Sequence, residues 1–584
     1  MIKFPKGRTV KVTCAATLAV GAVVATALAV PAAMASPAVN NSSKTSTPIK
    51  HVVVIFDENE SFDHYFATYP YATNTDGTKF KAAPGTPKVN NLVTAGILAP
   101  NGTVKKSTGN VYDPQRLDPE TAKVTGSNNH AYLPEQEAED NGKMDQFVQY
   151  TSNNNALNTN GTFGAPGLGM DYYDGNTVTG LWNYAQNYSM SDNSWDVQFG
   201  PSSPGAINVI SGSTAKATAY NKTGRNELTP TTSSNVQKGS LIGDADPAYD
   251  DCAATSGVAG LTGKNIGDVL NEKNITWGWF QGGFTPTTPA GSGATDYAKC
   301  GATQQNAIGL TETSYSPHHD PFQYYKSTSN PKHLPPKNEA EIGHNGQANH
   351  QYDTTTFDSL FQKGSTGTLP AVSFVKPPAA QDAHPGNSGP IDEQAFITKE
   401  INQIEQSKYW SSTAVVISYD DSDGWYDHVA PTIKNSASDT ANNSAICLNA
   451  ASAGVEQLAG DDDRCGPSQR LPLLVISPYS RQNYVAHNET DQTSVLKFIE
   501  QNWGTTSTGK DSFTNEAGSI DNMFNFARPQ QREVLLSTTT GAVTKTVPTH
   551  VSPVKPIPHK PLPHKPVPHK PAPHKVTPSK GHHI

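Results

Sequence analysis

The stretch "VVVIFDENESFDHYF", Val52–Phe66, decides the fold class, because five apolar residues lead directly into a run rich in carboxylates. A short, continuous apolar run is typical of a strand buried on both faces of a parallel sheet. The stretch "AVVISYDDSDGWYDHV" repeats this arrangement, with Asp420 and Asp421 following an apolar strand. In open α/β sheets functional groups gather beyond the carboxyl ends of the strands, so both acidic clusters stand at candidate site positions.

Similar apolar runs alternate with helical patterns along the chain. The predicted strands are Val52–Phe56, Thr276–Phe280, Ala371–Val375, Ala414–Tyr419 and Leu473–Ile476, and the predicted helices are Thr262–Glu272, Asp392–Gln406 and Thr493–Trp503. This alternation predicts an α/β fold with a central, mostly parallel sheet between two helical layers. Long polar stretches such as residues 151–167 are interpreted as loop insertions.

The two ends of the chain differ in composition from its body. Residues 1–35 combine early cations, an apolar run and the small residues "AMA", which predicts a cleaved secretory signal; an uncleaved membrane anchor is the alternative. Residues 36–540 are assigned to one catalytic domain and residues 541–584 to a tail. We expect no transmembrane helix in the mature chain, which would be secreted, periplasmic or associated with the cell envelope.

The tail carries the repeat "PIPHKPLPHKPVPHKPAPHK", whose proline density excludes a packed core and favours a disordered, extended polyproline stalk. It is interpreted either as a solvated spacer or as a contact to the cell envelope, since its histidines would add positive charge in acid. Cleavage of the signal would remove Cys14 and leave four cysteines, which can form disulfides in an oxidising compartment. Proximity in the sequence favours the pairs Cys252–Cys300 and Cys447–Cys465. A free pair of thiols or a metal site is the alternative.

The net charge of residues 36–540 restricts which ligands this part of the chain can bind. The formal net charge is −9, but without the signal and tail 32 of the 43 Lys and Arg residues remain against 52 acids. A surplus of about 20 negative charges argues against nonspecific nucleic-acid binding. A phosphate site would therefore need a local cation, and a bound metal ion is the simplest source.

The crowded carboxylates would repel and raise each other's pKa unless a cation lay between them. Oxygen ligands suit Mg²⁺, Ca²⁺ or Mn²⁺, although Zn²⁺ also accepts carboxylates. Solvated acidic loops are the alternative interpretation of each cluster. An EF-hand is excluded, because Tyr419 and Ala430 stand where that calcium loop needs acidic residues.

Two further elements carry reactive side chains. In "QFGPSSPGAINVISGS", Ser202 lies near the start of a predicted helix, where it could be an N-cap or a nucleophile. His130, His318, His319 and His384 could hold phosphate oxygens or protonate a leaving alkoxide, or could be structural or surface histidines.

The motifs "ENESFDHYF", "NGKMDQFV", "GPSSPG", "SPHHDPFQYY", "SYDDSDGWYDHV" and "RLPLLVISPYS" together resemble the bacterial phospholipase C and acid phosphatase family of the alkaline-phosphatase-like superfamily. The resemblance spans roughly Lys50–Trp503. It implies an alkaline-phosphatase-like three-layer sandwich and a divalent metal held by Glu58, Asn59, Asp420 and Asp421. It also implies Ser202 as nucleophile, His318 or His319 assisting the leaving group, and all four histidines lining a phosphate pocket.

The chain departs from the family pattern at three places. Gly205 and Ala206 follow Pro204 where many relatives have Asn-Arg, Glu60 replaces a common arginine, and Gln492 stands where Asp-His is frequent. The first departure favours an acid phosphatase over a phospholipase C and, through the missing arginine, argues against a sulfatase. A non-catalytic envelope-binding protein displayed on the proline-rich stalk is the competing hypothesis.

Overall fold

The computed structural model describes residues 44–154, 159–460 and 463–554. The chain divides into two compact units, Met1–Asn40 and Asn41–Ile584, and the described residues all belong to the second. The predicted signal segment and the repeats of the predicted tail lie outside the described residues.

The centre of the fold is an eight-stranded sheet. In chain order its strands are β1 (His51–Asp57), β2 (Ser189–Ser191), β3 (Trp277–Gln281), β4 (Gln351–Asp353), β5 (Val372–Lys376), β6 (Thr413–Tyr419), β7 (Leu473–Ile476) and β8 (Tyr484–Ala486). Their spatial order is β4-β3-β5-β1-β6-β7-β2-β8. All five predicted strands are present, and the three that were missed are only three residues long, too short to show a hydrophobic period.

The sheet is parallel except at β7, which pairs antiparallel with β6 and β2. β1 lies between β5 and β6, in register from Val52 beside Val372 to Asp57 beside Tyr419. The predicted α/β class with a mostly parallel sheet is therefore confirmed. The direction of β7 could not be predicted, because an apolar run looks the same in a parallel and an antiparallel strand.

The described part of the chain contains ten α-helices. They are α1 (Phe62–Phe66), α2 (Tyr132–Ala138), α3 (Phe147–Tyr150), α4 (Thr179–Asn187), α5 (Ser202–Ser211), α6 (Ile266–Glu272), α7 (Thr354–Ser359), α8 (Pro390–Glu405), α9 (Ala445–Ser452) and α10 (Thr493–Trp503). The prediction for α10 matches at both ends. α6 begins four residues later than predicted, because Asn265 and Asp268 form a capping box there.

Alternate residues of β1 bury against different helical layers. Val53 and Ile55 belong to one core with Trp182 of α4 and Phe396 of α8. Val52, Val54 and Phe56 belong to the other, which includes side chains of α5, α6 and α10. Burial on both faces explains why the strand is apolar throughout, and it makes the fold a three-layer sandwich.

One acid of α8 lies within the first of these cores. Glu405 accepts hydrogen bonds from the Tyr188 hydroxyl at 2.5 Å and from the Val534 backbone N–H at 2.6 Å. Burial raises the pKa of Glu405 to about 8. The carboxyl group is therefore more easily kept protonated in the folded chain than in water.

Smaller elements lie outside the central sheet. A three-stranded sheet joins Glu227–Pro230, Ala217–Gly224 and Val258–Leu261, and short two-stranded ladders join Ser194–Trp195 with Thr490–Asp491, Val236–Gln237 with Ser240–Leu241, and Thr303–Gln305 with Thr311–Thr313. The disulfides are Cys252–Cys300 and Cys447–Cys465, the pairing that proximity favoured.

The boundary of the predicted tail lies inside folded structure. Val543–Pro548 forms a strand that pairs antiparallel with Arg532–Leu536. Further on, Val551 is buried and the Val554 N–H donates to the Phe526 carbonyl at 2.9 Å. The first residues assigned to the tail thus pack on the body. Within the described ranges, no helix combines the length and the apolar character that crossing a bilayer requires.

Candidate active site

Three neighbouring strands deliver the central side chains to one edge of the sheet. Glu58 and Asn59 follow β1, Asp420 and Asp421 follow β6, and Lys376 is the last residue of β5. Because these strands are parallel and adjacent, their carboxyl ends open on the same side. Two acidic clusters separated by about 360 residues of sequence therefore meet, as the sequence predicted.

Ser202 points into this edge from the first turn of α5. It is the first residue of the helix, Pro201 holds the N-cap position, and no side-chain cap is formed. The Ser202 Oγ instead lies 3.0 Å from Glu58 Oε2 and 3.0 Å from Asp421 Oδ2. The N-cap alternative for Ser202 is therefore wrong. One hydroxyl proton cannot satisfy both carboxylates, so the three oxygens form a cluster suited to a cation.

Asn59 and Asp420 complete the oxygen cluster. Asn59 adopts a φ of 49°, in the left-handed region that asparagine enters more readily than most residues. Its N–H donates to Asp420 Oδ1 at 3.1 Å, which also accepts from the Asp421 N–H at 2.8 Å. Asn59 Oδ1 and Asp420 Oδ2 are buried and have no hydrogen-bond partner among the residues that the structure describes. These two oxygens are free to bind a ligand.

The crowding has an electrostatic cost. Burial and the charge of Glu58 raise the pKa of Asp420 and of Asp421 well above the ordinary aspartate value. In contrast, the hydrogen bond from the His319 ring and the charge of the Lys376 ammonium favour the ionised form of Glu58, and together they hold its pKa low despite burial. A cation among these carboxylates would remove the repulsion.

Lys376 is a site residue that sequence reasoning missed. Its Nζ donates to Glu58 Oε1 and lies 3.9 Å from Asp420 Oδ2, with the side chain only 1% exposed. Burial alone would lower the pKa of Lys376, but the neighbouring carboxylates raise it. Its position directly after the predicted strand Ala371–Val375 was the signal that could have identified it.

The paired histidines occupy different environments. His319 Nδ1 donates to Glu58 Oε1 at 3.0 Å, and its buried Nε2 has no hydrogen-bond partner within the described ranges. Burial lowers the pKa of His319 to about 3. His318 instead faces Asp246, with Nδ1 at 3.7 Å from Oδ1, and this carboxylate outweighs burial and raises the pKa of His318. The structure thus gives the two adjacent imidazoles opposite tendencies to hold a proton.

His130 and His384 lie on the other side of the cluster. His130 Nδ1 lies 3.0 Å from Asp423 Oδ1, and its Nε2 lies 3.5 Å from Asn59 Nδ2. The His384 ring centroid is 6.0 Å from that of His130 and 6.5 Å from that of His319. All four predicted histidines therefore belong to one chain of imidazoles around the acidic edge.

Three aspartates that the sequence analysis did not assign support these histidines. Asp423 holds His130, Asp246 faces His318, and Asp382 Oδ2 lies 4.0 Å from His319 Nδ1. The Asp382 backbone carbonyl also accepts a hydrogen bond from the N–H of Glu58, a predicted metal ligand, at 2.9 Å. The fragments "DDSDG" and "DAHPGN" contained two of these acids beside predicted site residues.

Four groups of side chains in the described ranges could hold a metal ion by proximity. Two belong to the site: Glu58 with His319 and Asp382, and His130 with His384 and Asp423. The other two are already satisfied. One contains the disulfide Cys252–Cys300, and the other, Asp63 with Asp427 and His428, is paired with the Arg470 guanidinium.

Two of the departures from the family pattern pack against Asp420. A Cβ added at Gly205 would lie 2.0 Å from the Asp420 carbonyl oxygen, so only glycine allows α5 to approach β6 this closely. The Gln492 side-chain amide donates to the same carbonyl. Both residues therefore fix the loop that carries Asp420 and Asp421.

An open cleft of about 480 Å³ adjoins the site. It is bounded by Pro201, directly before Ser202, and by His130. Its wall combines the side-chain amides of Asn128, Asn129, Asn235 and Asn442 with Asp244, Leu133 and Ile242. Such a mixed surface has room for a small molecule bound next to Ser202.

The fold and site define a member of a known family. A model of the Phosphoesterase family matches residues 49–506, and the chain belongs to that family. This match confirms the resemblance inferred from the motifs.

Curated relatives are bacterial phospholipases C. The chain is 31% identical over 204 residues to a non-hemolytic phospholipase C of Burkholderia pseudomallei, covering 32% of this chain and 27% of the relative. It is 31% identical over 183 residues to a non-hemolytic phospholipase C of Pseudomonas aeruginosa, covering 30% and 26%. It is 28% identical over 165 residues to phospholipase C A of Mycobacterium tuberculosis, covering 28% and 30%. The matches thus span less than a third of these relatives.

Solved structures give weaker similarities. An alkaline phosphatase superfamily protein from Vibrio parahaemolyticus has a TM-score of 0.28 at 10% identity, covering 76% of this chain and 89% of the other. Murine ectonucleotide pyrophosphatase/phosphodiesterase 5 has a TM-score of 0.26 at 9% identity, covering 56% and 91%. These scores are low, so the fold is defined by the strand order of this chain.

Proposed function

We propose that the protein is a metal-dependent hydrolase of phosphate esters with Ser202 as its nucleophile. The observation that carries the proposal is the position of Ser202 Oγ at the helix start, 3.0 Å from both Glu58 and Asp421. A hydroxyl among carboxylates at a helix N-terminus is suited to attack an anionic phosphoryl group, provided that a cation offsets the acids.

The residues present fit a divalent metal ion. Glu58, Asn59, Asp420 and Asp421 supply oxygen ligands, and the unpartnered Asn59 Oδ1 and Asp420 Oδ2 are available to bind it. Mg²⁺, Ca²⁺, Mn²⁺ and Zn²⁺ all accept this donor set. When bound, such an ion lowers the pKa of the serine hydroxyl and neutralises a phosphoryl oxygen.

Different side chains of the site then carry out the separate steps of the reaction. Ser202 gives its hydroxyl proton to water, and its Oγ attacks phosphorus in line while the P–O bond to the leaving group breaks. His130 binds a phosphoryl oxygen while Asp423 orients the His130 ring, and His384 lines the same pocket. His318 protonates the leaving alkoxide, because Asp246 favours its charged form. Water then attacks the phosphoserine, the P–Oγ bond breaks, and Ser202 regains a proton as phosphate or a phosphorylated head group leaves.

Two classes of substrate are candidates, phosphate monoesters and phospholipids. A phosphomonoesterase of the acid phosphatase type is favoured by the departure at Gly205 and Ala206. A phospholipase C is the second candidate, favoured by the names of the relatives. Parallel assays with p-nitrophenyl phosphate and phosphatidylcholine, across pH and with each divalent ion, separate the two.

Ser202→Ala should abolish hydrolysis of whichever substrate is cleaved. Ser203→Ala is the matched control, because the Ser203 hydroxyl bonds to Tyr324 at 3.1 Å rather than to the carboxylates. Ser203→Ala should keep most of the activity. Substantial activity in Ser202→Ala would refute the nucleophile, and a wild-type chain inactive on both substrates with every ion would refute the hydrolase.

We further propose that the protein acts outside the cytoplasm, in keeping with its two disulfides and its signal-like first 35 residues. The tail would hold it at the cell envelope. Cell fractionation of the full chain, compared with one lacking residues 555–584, tests both points. Retention of the shortened chain at the envelope would contradict the role of the tail.

A further inference from the structure

Lys376 places an ammonium group inside a cluster of buried carboxylates. Its Nζ donates to Glu58 Oε1 and lies 3.9 Å from Asp420 Oδ2. The Phe56 ring centroid lies 5.4 Å from Nζ, which fixes the side chain from another direction. The ammonium is thus held in place by the strand end, an aromatic ring and hydrogen bonding.

We propose that Lys376 is a fixed cation that weakens the attraction of this centre for a divalent metal ion and orients Glu58 toward Ser202. The inference rests on the proposed function, since it concerns the same metal site. Lys376 is not one of the four proposed metal ligands, so this role is additional to theirs.

Charge balance supports the first part of this role. Glu58, Asp382, Asp420 and Asp421 carry four negative charges when ionised, and one divalent ion would leave two of them unbalanced. Lys376 removes one of these two. Without it the carboxylates would attract divalent cations more strongly, because a nearby like charge opposes the binding of a metal ion.

The hydrogen bonds support the second part. Glu58 Oε1 is held by Lys376 and by His319 Nδ1 at 3.0 Å. With that oxygen fixed, Oε2 faces Ser202 Oγ at 3.0 Å. Lys376 is therefore a positioning residue, which acts on the nucleophile through Glu58.

The test measures metal binding directly. Mn²⁺ affinity and stoichiometry are determined by titration calorimetry and elemental analysis for the wild type, Lys376→Met and Lys376→Arg. We expect one Mn²⁺ per wild-type chain, roughly tenfold or more tighter binding in Lys376→Met, and unchanged affinity in Lys376→Arg. A purely structural lysine would not tighten metal binding when it is removed.

Lys399→Met is the matched control, because Lys399 also contacts two carboxylates, Asp358 and Glu400, but outside the site. It should leave Mn²⁺ affinity unchanged. Unchanged or weaker binding in Lys376→Met overturns the inference. Should Lys376→Met not fold, a more than tenfold loss of affinity in folded Lys376→Arg overturns it instead.

Failure of the inference can be told apart from failure of the proposed function. A wild-type chain that binds no divalent ion and hydrolyses no phosphate ester refutes the proposed function. A wild-type chain that binds Mn²⁺ and is active, while Lys376→Met binds Mn²⁺ no more tightly, refutes only the role of Lys376.

Discussion

Gly205→Ala tests the close packing of the nucleophile helix on the loop that follows β6. The new Cβ would lie 2.0 Å from the Asp420 carbonyl oxygen, whereas ordinary contacts begin above about 3 Å. The neighbouring atoms are backbone, which cannot rotate away. The helix and the loop must therefore separate by about 1 Å, which displaces Ser202 from Asp421.

The expected effects differ in size for activity and stability. A displacement of about 1 Å between reacting groups typically costs about 100-fold in rate. Overpacking costs about 1 to 3 kcal/mol of folding free energy, and the better helix propensity of alanine returns about 1 kcal/mol of this. The variant should therefore stay folded while losing most of its activity.

The assay is kcat/KM on the substrate that the wild type hydrolyses best, with the thermal midpoint measured in parallel. Gly180→Ala is the control, since the three atoms nearest to its Cβ belong to the flexible side chain of Gln394 in another helix, the first at 3.1 Å. Wild-type kcat/KM in a folded Gly205→Ala protein would refute the dependence of Ser202 on this packing.

Three further outcomes are expected. Glu405 has a folded pKa of about 8 against an ordinary 4.5, so its contribution to stability is present at low pH and is lost as pH rises through 8. In urea unfolding, the free energy of unfolding of Glu405→Gln should match that of the wild type near pH 5 and exceed it by about 1 to 3 kcal/mol near pH 9. Equal pH profiles of the two proteins would contradict the buried proton. Asp246→Asn should lower the pKa of His318 and move the alkaline limb of kcat to lower pH, and an unmoved limb would remove His318 as the acid. Deleting residues 555–584 should leave the thermal midpoint unchanged while deleting residues 541–584 lowers it, since only the latter removes a paired strand; equal midpoints would contradict that pairing.

The sequence was sufficient to predict those elements whose apolar pattern reflects burial in the core. The apolar runs of β1, β5 and β6 predicted buried strands, and polar residues directly after them predicted a site at one sheet edge. The single reversed strand, β7, and the three-residue strands could not be predicted, because direction and pairing depend on contacts distant in sequence. The same limit applied to the start of the tail, where Val543–Pro548 forms a strand next to a disordered-looking repeat.

Within the site, ligands with a motif were predicted and their supporting residues were not. Lys376 directly follows a predicted strand and Asp382 lies two residues before a predicted site histidine, but neither belongs to a ligand motif, and the fold brings both to Glu58. Gly205 and Gln492 were noticed as departures from the family, but no sequence pattern explained them. The structure supplies one, since both contact the Asp420 carbonyl.

The central claim is that Ser202 becomes phosphorylated during turnover. The direct measurement is an acid quench of the metal-loaded enzyme within the first turnovers of a phosphate ester, followed by peptide mass spectrometry. The account predicts one phosphoryl group on Ser202 in the wild type and none in Ser202→Ala. A phosphoryl group on a different residue, or active enzyme in which Ser202 is never modified, would contradict it.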